Sequence, residues 1–178
     1  MMTGKSFTSF AFAMLAIVSI GAMATADDAL DLKNDRYTGD ETGGVVSATG
    51  QMSKTLGQSG GTLNVVVNYV VEQTVSDVNQ VQTTKTQDVQ MVVPVTVTPR
   101  LNPRKKLIGY TFNVLSGPIE PISLVGTGET AVTAPMIISV ELRATVTLNN
   151  AIIADESEDL FDYYDTDDDD DDDDDDDH

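Results

Sequence analysis

Between Leu63 and Val71 every odd position is apolar, and polar residues such as Asn64 and Asn68 occupy even ones. The longest alternation runs from Met136 to Leu148. There Met136, Ile138, Val140, Leu142, Ala144, Val146 and Leu148 face one way, and Ser139, Glu141, Arg143, Thr145 and Thr147 the other. Shorter stretches repeat it at Val89–Val97 (odd positions Val, Met, Val, Val, Val) and Ile108–Val114 (even positions Ile, Tyr, Phe, Val). Side chains alternate faces along a strand, so each stretch reads as a strand with one dry and one wet face. Helical spacing is not sustained anywhere after residue 26, and the many Val and Thr residues suit a pleated, half-buried surface. Several one-faced strands must bury their apolar sides against each other, which predicts an all-β fold: one antiparallel β-sandwich of roughly seven strands over residues 62–154. An immunoglobulin-like topology is open to such a chain, although the Cys and Trp landmarks of antibody domains are missing. Pro94 cannot donate to a ladder, so its strand is expected at an edge or a bulge.

Residues 27–61 look different. Seven glycines from Gly39 to Gly61 and little sustained periodicity predict a flexible polar arm, with one short strand near Val45-Val46 at most.

Charge is placed very unevenly. The chain has 29 acidic residues against 10 basic ones, for a formal net charge of −19. Residues 155–178 hold 17 of the acids and no Lys or Arg. An ordinary domain is thus joined to a polyanion. Nucleic acid and anionic membrane surfaces are poor partners for it, because both want a basic face. With no cysteine in the chain, disulfide frameworks, thiol chemistry and cysteine-held metals are excluded.

The first 26 residues read as a secretory signal. Lys5 supplies a positive start, Phe10–Ile20 is an apolar core, and Ala24-Thr25-Ala26 fits a cleavage site, with Ala22-Met23-Ala24 as the other candidate. A helix crossing a bilayer needs about 20 apolar residues, so this core is too short to span, and no later segment qualifies. The expected location is extracellular, or periplasm and cell surface in a bacterium. The chain contains no N-glycosylation sequon.

Four motif matches lack their context. Gly57-Gln58-Ser59-Gly60-Gly61 fits G-x-S-x-G, but a nucleophile elbow needs a strand, a helix and a His, and the one His is His178. Gly126-Thr127-Gly128-Glu129-Thr130-Ala131 fits G-x-G-x-x-A with no helix to follow, and reads as a hairpin turn. Asp155-Glu156-Ser157-Glu158-Asp159 alternates oxygens like an EF-hand loop, yet Leu160 and Thr166 stand where Gly and Glu are required; Asp77-Val78-Asn79 fails likewise. With no His in the body and no Cys, an enzyme is not expected. The basic cluster Arg100, Arg104, Lys105 and Lys106 reads as a solvated turn. A clasp for the acidic tail and a dock for an anionic matrix polymer are its alternatives.

The tail carries the chemistry. Asp155 to Asp165 leads through Thr166 into Asp167, Asp168, Asp169, Asp170, Asp171, Asp172, Asp173, Asp174, Asp175, Asp176 and Asp177. Adjacent like charges repel and Asp is a poor helix former, so residues 155–178 are expected to stay disordered. A flexible ribbon of hard oxygen ligands suits Ca²⁺, which accepts six to eight oxygens in irregular geometry; Mg²⁺ holds its waters. The expectation is several weak Ca²⁺ sites of about 10⁻⁴–10⁻³ M, or adhesion to calcium mineral through many contacts. Asp155, Glu156, Glu158, Asp159, Asp162 and Asp165 are expected to contribute more weakly. In composition the tail is similar to those of acidic matrix proteins of shells and skeletons and of calcium-storage proteins. Tyr163-Tyr164 reads either as a sulfation site or as two hydrophobic anchors at the tail root. The sequence therefore predicts a secreted, non-enzymatic matrix protein with a calcium-binding tail. A structural or adhesive module of a cell surface, biofilm or fibre, self-associating through its β domain with the tail only solubilising, is the alternative.

Overall fold

The structure, a computed structural model, describes residues 29–165. Nine strands form two antiparallel sheets: β1 (Leu30–Asp40), β2 (Gly43–Ser53), β3 (Thr62–Ser76), β4 (Gln82–Val93), β5 (Val95–Leu101), β6 (Leu107–Leu115), β7 (Thr130–Ala131), β8 (Met136–Leu148) and β9 (Ala151–Asp162). One sheet has the order β1-β2-β6-β5 and the other β4-β3-β8-β9, with the short β7 also on β3. The all-β sandwich expected from the alternation is the fold observed. Its strand order is that of an immunoglobulin-type Greek key, in which the chain changes sheets after β2, after β6 and, with a single residue between strands, from β4 to β5. Pro94 lies at that passage, between two edge strands, where no ladder requires its N–H.

The inward face of β3 follows the sequence pattern: Val65, Val67, Tyr69 and Val71 are buried, and Gln73 and Val75 extend the row. On β8, Val140, Leu142, Ala144 and Val146 face the same core. The expected parity fails at the start of β8. Ile137, not Ile138, is fully buried, because the β3–β8 register slips between Val70 and Val71. A bulge adds a residue and turns every side chain before it to the other face. The β8–β9 hairpin closes through Asn149 and Asn150, both at positive φ (52° and 64°), as a two-residue type I′ turn requires.

Within the expected flexible arm of residues 27–61 the described residues up to Gly60 are strand, turn and helix, and the sandwich is not confined to 62–154. From Leu30 to Ser53 they form the β1–β2 hairpin, which is half of one sheet, followed by the single-turn helix α1 (Lys54–Gly57) capped by Ser53. Leu30, Leu32, Val46, Ala48 and Met52 are buried. Glycine here makes room and does not signal mobility. Gly50 is paired with Phe112 of β6, and a Cβ at Gly50 would lie 1.9 Å from the ring. Phe112 is fully buried, so its ring has nowhere to swing. Gly57 makes the same kind of hollow for Tyr110. The hairpin tip is tied to the opposite sheet, since Ile137 N–H donates to the Glu41 carbonyl at 2.7 Å.

A long crossover links β6 to β8. The Val46 N–H donates to buried Ser116 Oγ (2.8 Å), and Ile119 exchanges two backbone hydrogen bonds with Gly44. Gln73 points inward and both ends of its amide are bonded: Nε2 donates to the Thr133 carbonyl (2.9 Å) and Oε1 accepts from the Leu124 N–H (2.7 Å). One buried side chain thus pins the middle of the crossover and its far end to β3.

Gly50→Ala is expected to lower stability by about 1–3 kcal/mol through overpacking. Phe112→Ala is expected to cost about 3–5 kcal/mol. The double variant should lose less than the sum, because the added methyl occupies space that the ring has vacated. Urea unfolding of the three variants measures this. Additive losses would mean that the two residues do not share one cavity.

Candidate functional site

Of the acids expected to bind cations, Asp167–Asp177 lie outside the described residues. The others are described, and most are not in a tail. Asp155, Glu156, Glu158, Asp159 and Asp162 belong to β9, the edge strand beside β8; Asp165 follows shortly after it. The strand forms because Ala154, Leu160 and Phe161 offer it something to bury. Ala154 is 8% exposed, and the Phe161 ring meets Tyr37 of β1 at 5.4 Å between centroids. Two register shifts, between Val140 and Glu141 and between Val146 and Thr147, let the strand adapt its faces.

The acids divide between those faces. Glu158 and Glu156 stand opposite buried Leu142 and Ala144, on the core side of the sheet and half-exposed at its rim. Asp155 lies on the outer face in a forked pair with Arg143. Arg143 Nε donates to Oδ1 at 2.8 Å, and Nη2 donates to Oδ2. That fork holds the Asp155 carboxyl below the usual carboxylate range and raises the guanidinium. Asp159 stands directly opposite Glu141, two like charges face to face.

A polar row crosses the outer face at this level. Gln90 of β4, Asn68 of β3, Glu141 of β8 and Asp159 of β9 are in register across all four strands. Gln90 Nε2 donates to Asn68 Oδ1 (2.9 Å), and Asn68 Nδ2 donates to Glu141 Oε2 (3.0 Å). The row floors an open depression of about 530 Å³, which Asp88 and Ser139 also line. Its carboxylates are strung along the sheet. Among the described residues no group of three or more His, Cys, Asp or Glu is disposed to hold a metal ion.

The root of the tail is fastened. Tyr163 N–H donates to the Ile138 carbonyl (2.9 Å), Tyr164 N–H to Asp162 Oδ1 (3.0 Å), and the Tyr164 hydroxyl to Glu72 Oε1 (3.0 Å). The bond to Glu72 raises the Tyr164 phenol above its ordinary value. Tyr164 is 59% exposed, so it anchors through hydrogen bonds and not through burial.

Three of the four motif matches resolve as turns, while Asp155–Asp159 is part of β9. Asp77 Oδ1 accepts from the Asn79 and Val81 N–H groups (2.8 and 2.9 Å), so this carboxylate organises the β3–β4 turn. Gly126 to Glu129 is a turn with Gly128 at φ 78°, leading into β7; it does not join two strands of a hairpin. Gln58–Gly61 follows α1 directly. Arg104, Lys105 and Lys106 are exposed on the β5–β6 turn, which Asn102 Oδ1 caps by accepting the Arg104 and Lys106 N–H groups. Arg100 reaches Gln51 on β2. Among the described residues no helix is long and apolar enough to cross a membrane.

Comparison with protein-family models, with curated proteins and with solved structures gives no match to this chain. The functional reading therefore rests on its own residues.

The carboxyls shifted below their ordinary range fix an acid response. Asp155 is held by Arg143, Glu129 by Lys85, Asp77 by the Val81 N–H and Asp40 by Thr42. On acidification the unfolded chain takes up protons first. Stability present above about pH 4 is therefore lost as pH falls through the lower folded values. At the other end, burial pushes the Tyr37 phenol up to about 12. The unfolded phenol ionises first near pH 10, so stability declines from about pH 10 upward. Urea midpoints against pH should fall on both flanks, and Arg143→Ala should flatten the acid flank alone. An unchanged acid flank in that variant would exclude the fork as a contributor.

Proposed function

We propose that this is an exported, non-enzymatic acidic protein whose aspartate run, Asp167–Asp177, gathers Ca²⁺ or adheres to calcium mineral in an extracellular matrix. The sandwich is its anchor. The observation that carries the reading is the continuity of acid from fold to run. β9 already bears five carboxylates and no base on an edge strand, and Asp165 and the aspartates follow it directly. Neighbouring carboxylates hinder each other's ionisation, and divalent cations relieve that repulsion. Because the described acids form no cage, the proposed binding is many weak contacts and not one tight site. Anchoring the root through Tyr163 and Tyr164 supports a run that projects from one defined place on the sandwich.

A second reading has its own observation. The sandwich has an exposed edge at β4, and a structural or adhesive module acting through strand pairing needs such an edge. On that reading the aspartates serve solubility.

Calcium titration of the purified protein, by calorimetry or equilibrium dialysis, is expected to show several ions bound per chain at about 10⁻⁴–10⁻³ M. Deletion of Asp167–Asp177 should remove most of them while leaving the unfolding midpoint unchanged. A stoichiometry of zero or one at millimolar calcium rejects the calcium reading.

A further inference from the structure

We infer that β4 is a pairing edge whose partner is the β4 of a second copy of this chain, joined antiparallel about a twofold axis. The inference is independent of what the aspartate run binds. Four strands lie at sheet edges: β1 and β5 in one sheet, β4 and β9 in the other. A bare edge offers rows of N–H and C=O groups to any passing strand, and folded proteins blunt such edges with bulges, prolines and charge.

Three of the four are blunted. β1 breaks register between Lys33 and Arg36, with Asn34 at φ 51°. β5 contains Pro99 and slips between Arg100 and Leu101. β9 slips twice and carries five acids. β4 has none of these devices. It pairs with β3 over 12 successive residues without a slip, contains no proline, and carries one Lys and one Asp. At about 3.4 Å per residue, that is about 40 Å of regular free edge.

The character of β4 selects its partner. Lys85 is already engaged by Glu129 and the Leu124 carbonyl, so β4 offers no free cation to draw in the acidic β9 of another molecule. With one Asp and one Lys in 12 residues, the strand itself carries little charge to oppose self-pairing. Exposed valines stand at both ends: Val78 (81% exposed) and Val81 (59%) before the strand, and Val92 (72%) at its finish. Antiparallel pairing lays the start of one β4 along the finish of the other, and so brings these apolar ends together. A twofold axis is the commonest symmetry of such self-association.

Sedimentation equilibrium of the purified protein over micromolar to submillimolar concentrations should give a monomer–dimer equilibrium that stops at the dimer. Neighbouring residues of a strand direct their N–H groups to opposite edges. Of Thr86→Pro and Gln87→Pro, one therefore removes a bond to β3 and the other an outward N–H alone. One variant should remain folded by circular dichroism and sediment as a monomer. Where both fail to fold, Thr83→Glu/Gln87→Glu decides: both side chains are exposed, and the added negative charges should raise the dimer dissociation constant about tenfold or more. A protein that stays monomeric throughout overturns the inference, as does a folded outward-proline variant that still dimerises. Association of the glutamate variant that is as tight as that of the unaltered protein, or that is open-ended, also overturns it.

Discussion

Two sheets without a covalent staple are held face to face by aliphatic contact, and every other feature of this molecule is arranged around that contact. Val65, Val67 and Val71 of β3 and Leu142, Ala144 and Val146 of β8 meet Val46, Ala48, Met52, Phe112 and Val114 of the other sheet, all 7% exposed or less. Burying a Val or Leu side chain is worth about 1.5–3 kcal/mol, and a dry face of this size is what stabilises a domain that lacks disulfides. The long β6–β8 crossover would loosen the arrangement if it were held only by its ends. Gln73, Ser116 and Ile119 instead stitch it to the core strands, and no side-chain nitrogen or oxygen among the described residues is left buried and unpaired.

How much of this could be read from the residues depended on which side chains faced inward. β3 and β8 were legible because valine and leucine mark their dry faces, and Pro94 was legible as an edge because proline removes a donor. The β1–β2 hairpin was not. Its inward positions on β2 are Val46, Ala48, Gly50 and Met52, an even-numbered row whose smallest member looks like a loop residue until Phe112 is seen above it. Counting small residues as core-facing would have exposed the alternation. β9 was missed for the converse reason. Its rows include Glu156 and Glu158, which suggest solvated tail, although a sheet rim tolerates carboxylates that can still reach water. The slip at Ile137 left no trace in composition at all, because Ile137 and Ile138 are chemically the same. Of the candidate site, the sequence identified the acids; that five of them lie on a strand, with Asp155 tied to Arg143, required the fold.

The acids of β9 have a structural consequence whatever they bind. An edge strand that bears Asp155, Glu156, Glu158, Asp159 and Asp162 cannot easily accept another strand of its own kind. Asp159 facing Glu141 shows that the sheet already tolerates one unfavourable pair to keep that edge charged. The opposite edge is Thr- and Gln-rich and nearly neutral. The sandwich is thus polarised across its width, and the difference lies in whether an edge refuses company or permits it.

That polarity links the two proposals. In the pairing inferred for β4, the two sheets join into one that is eight strands wide, the short β7 aside, and the two β9 strands fall at its far ends, about 34 Å apart at ordinary strand spacing. Each aspartate run would then leave from its own end, with its root held by Tyr163 and Tyr164. The like charges are kept apart, which limits the repulsion that a net charge of −19 per chain imposes on any dimer. On the proposed function, two weakly binding runs on one body would engage a calcium-bearing surface together, the second contact being made at the high effective concentration set by the first. Weak individual affinity is then no obstacle to firm adhesion, provided that the neutral edge and the charged edge stay on opposite sides of the same sandwich.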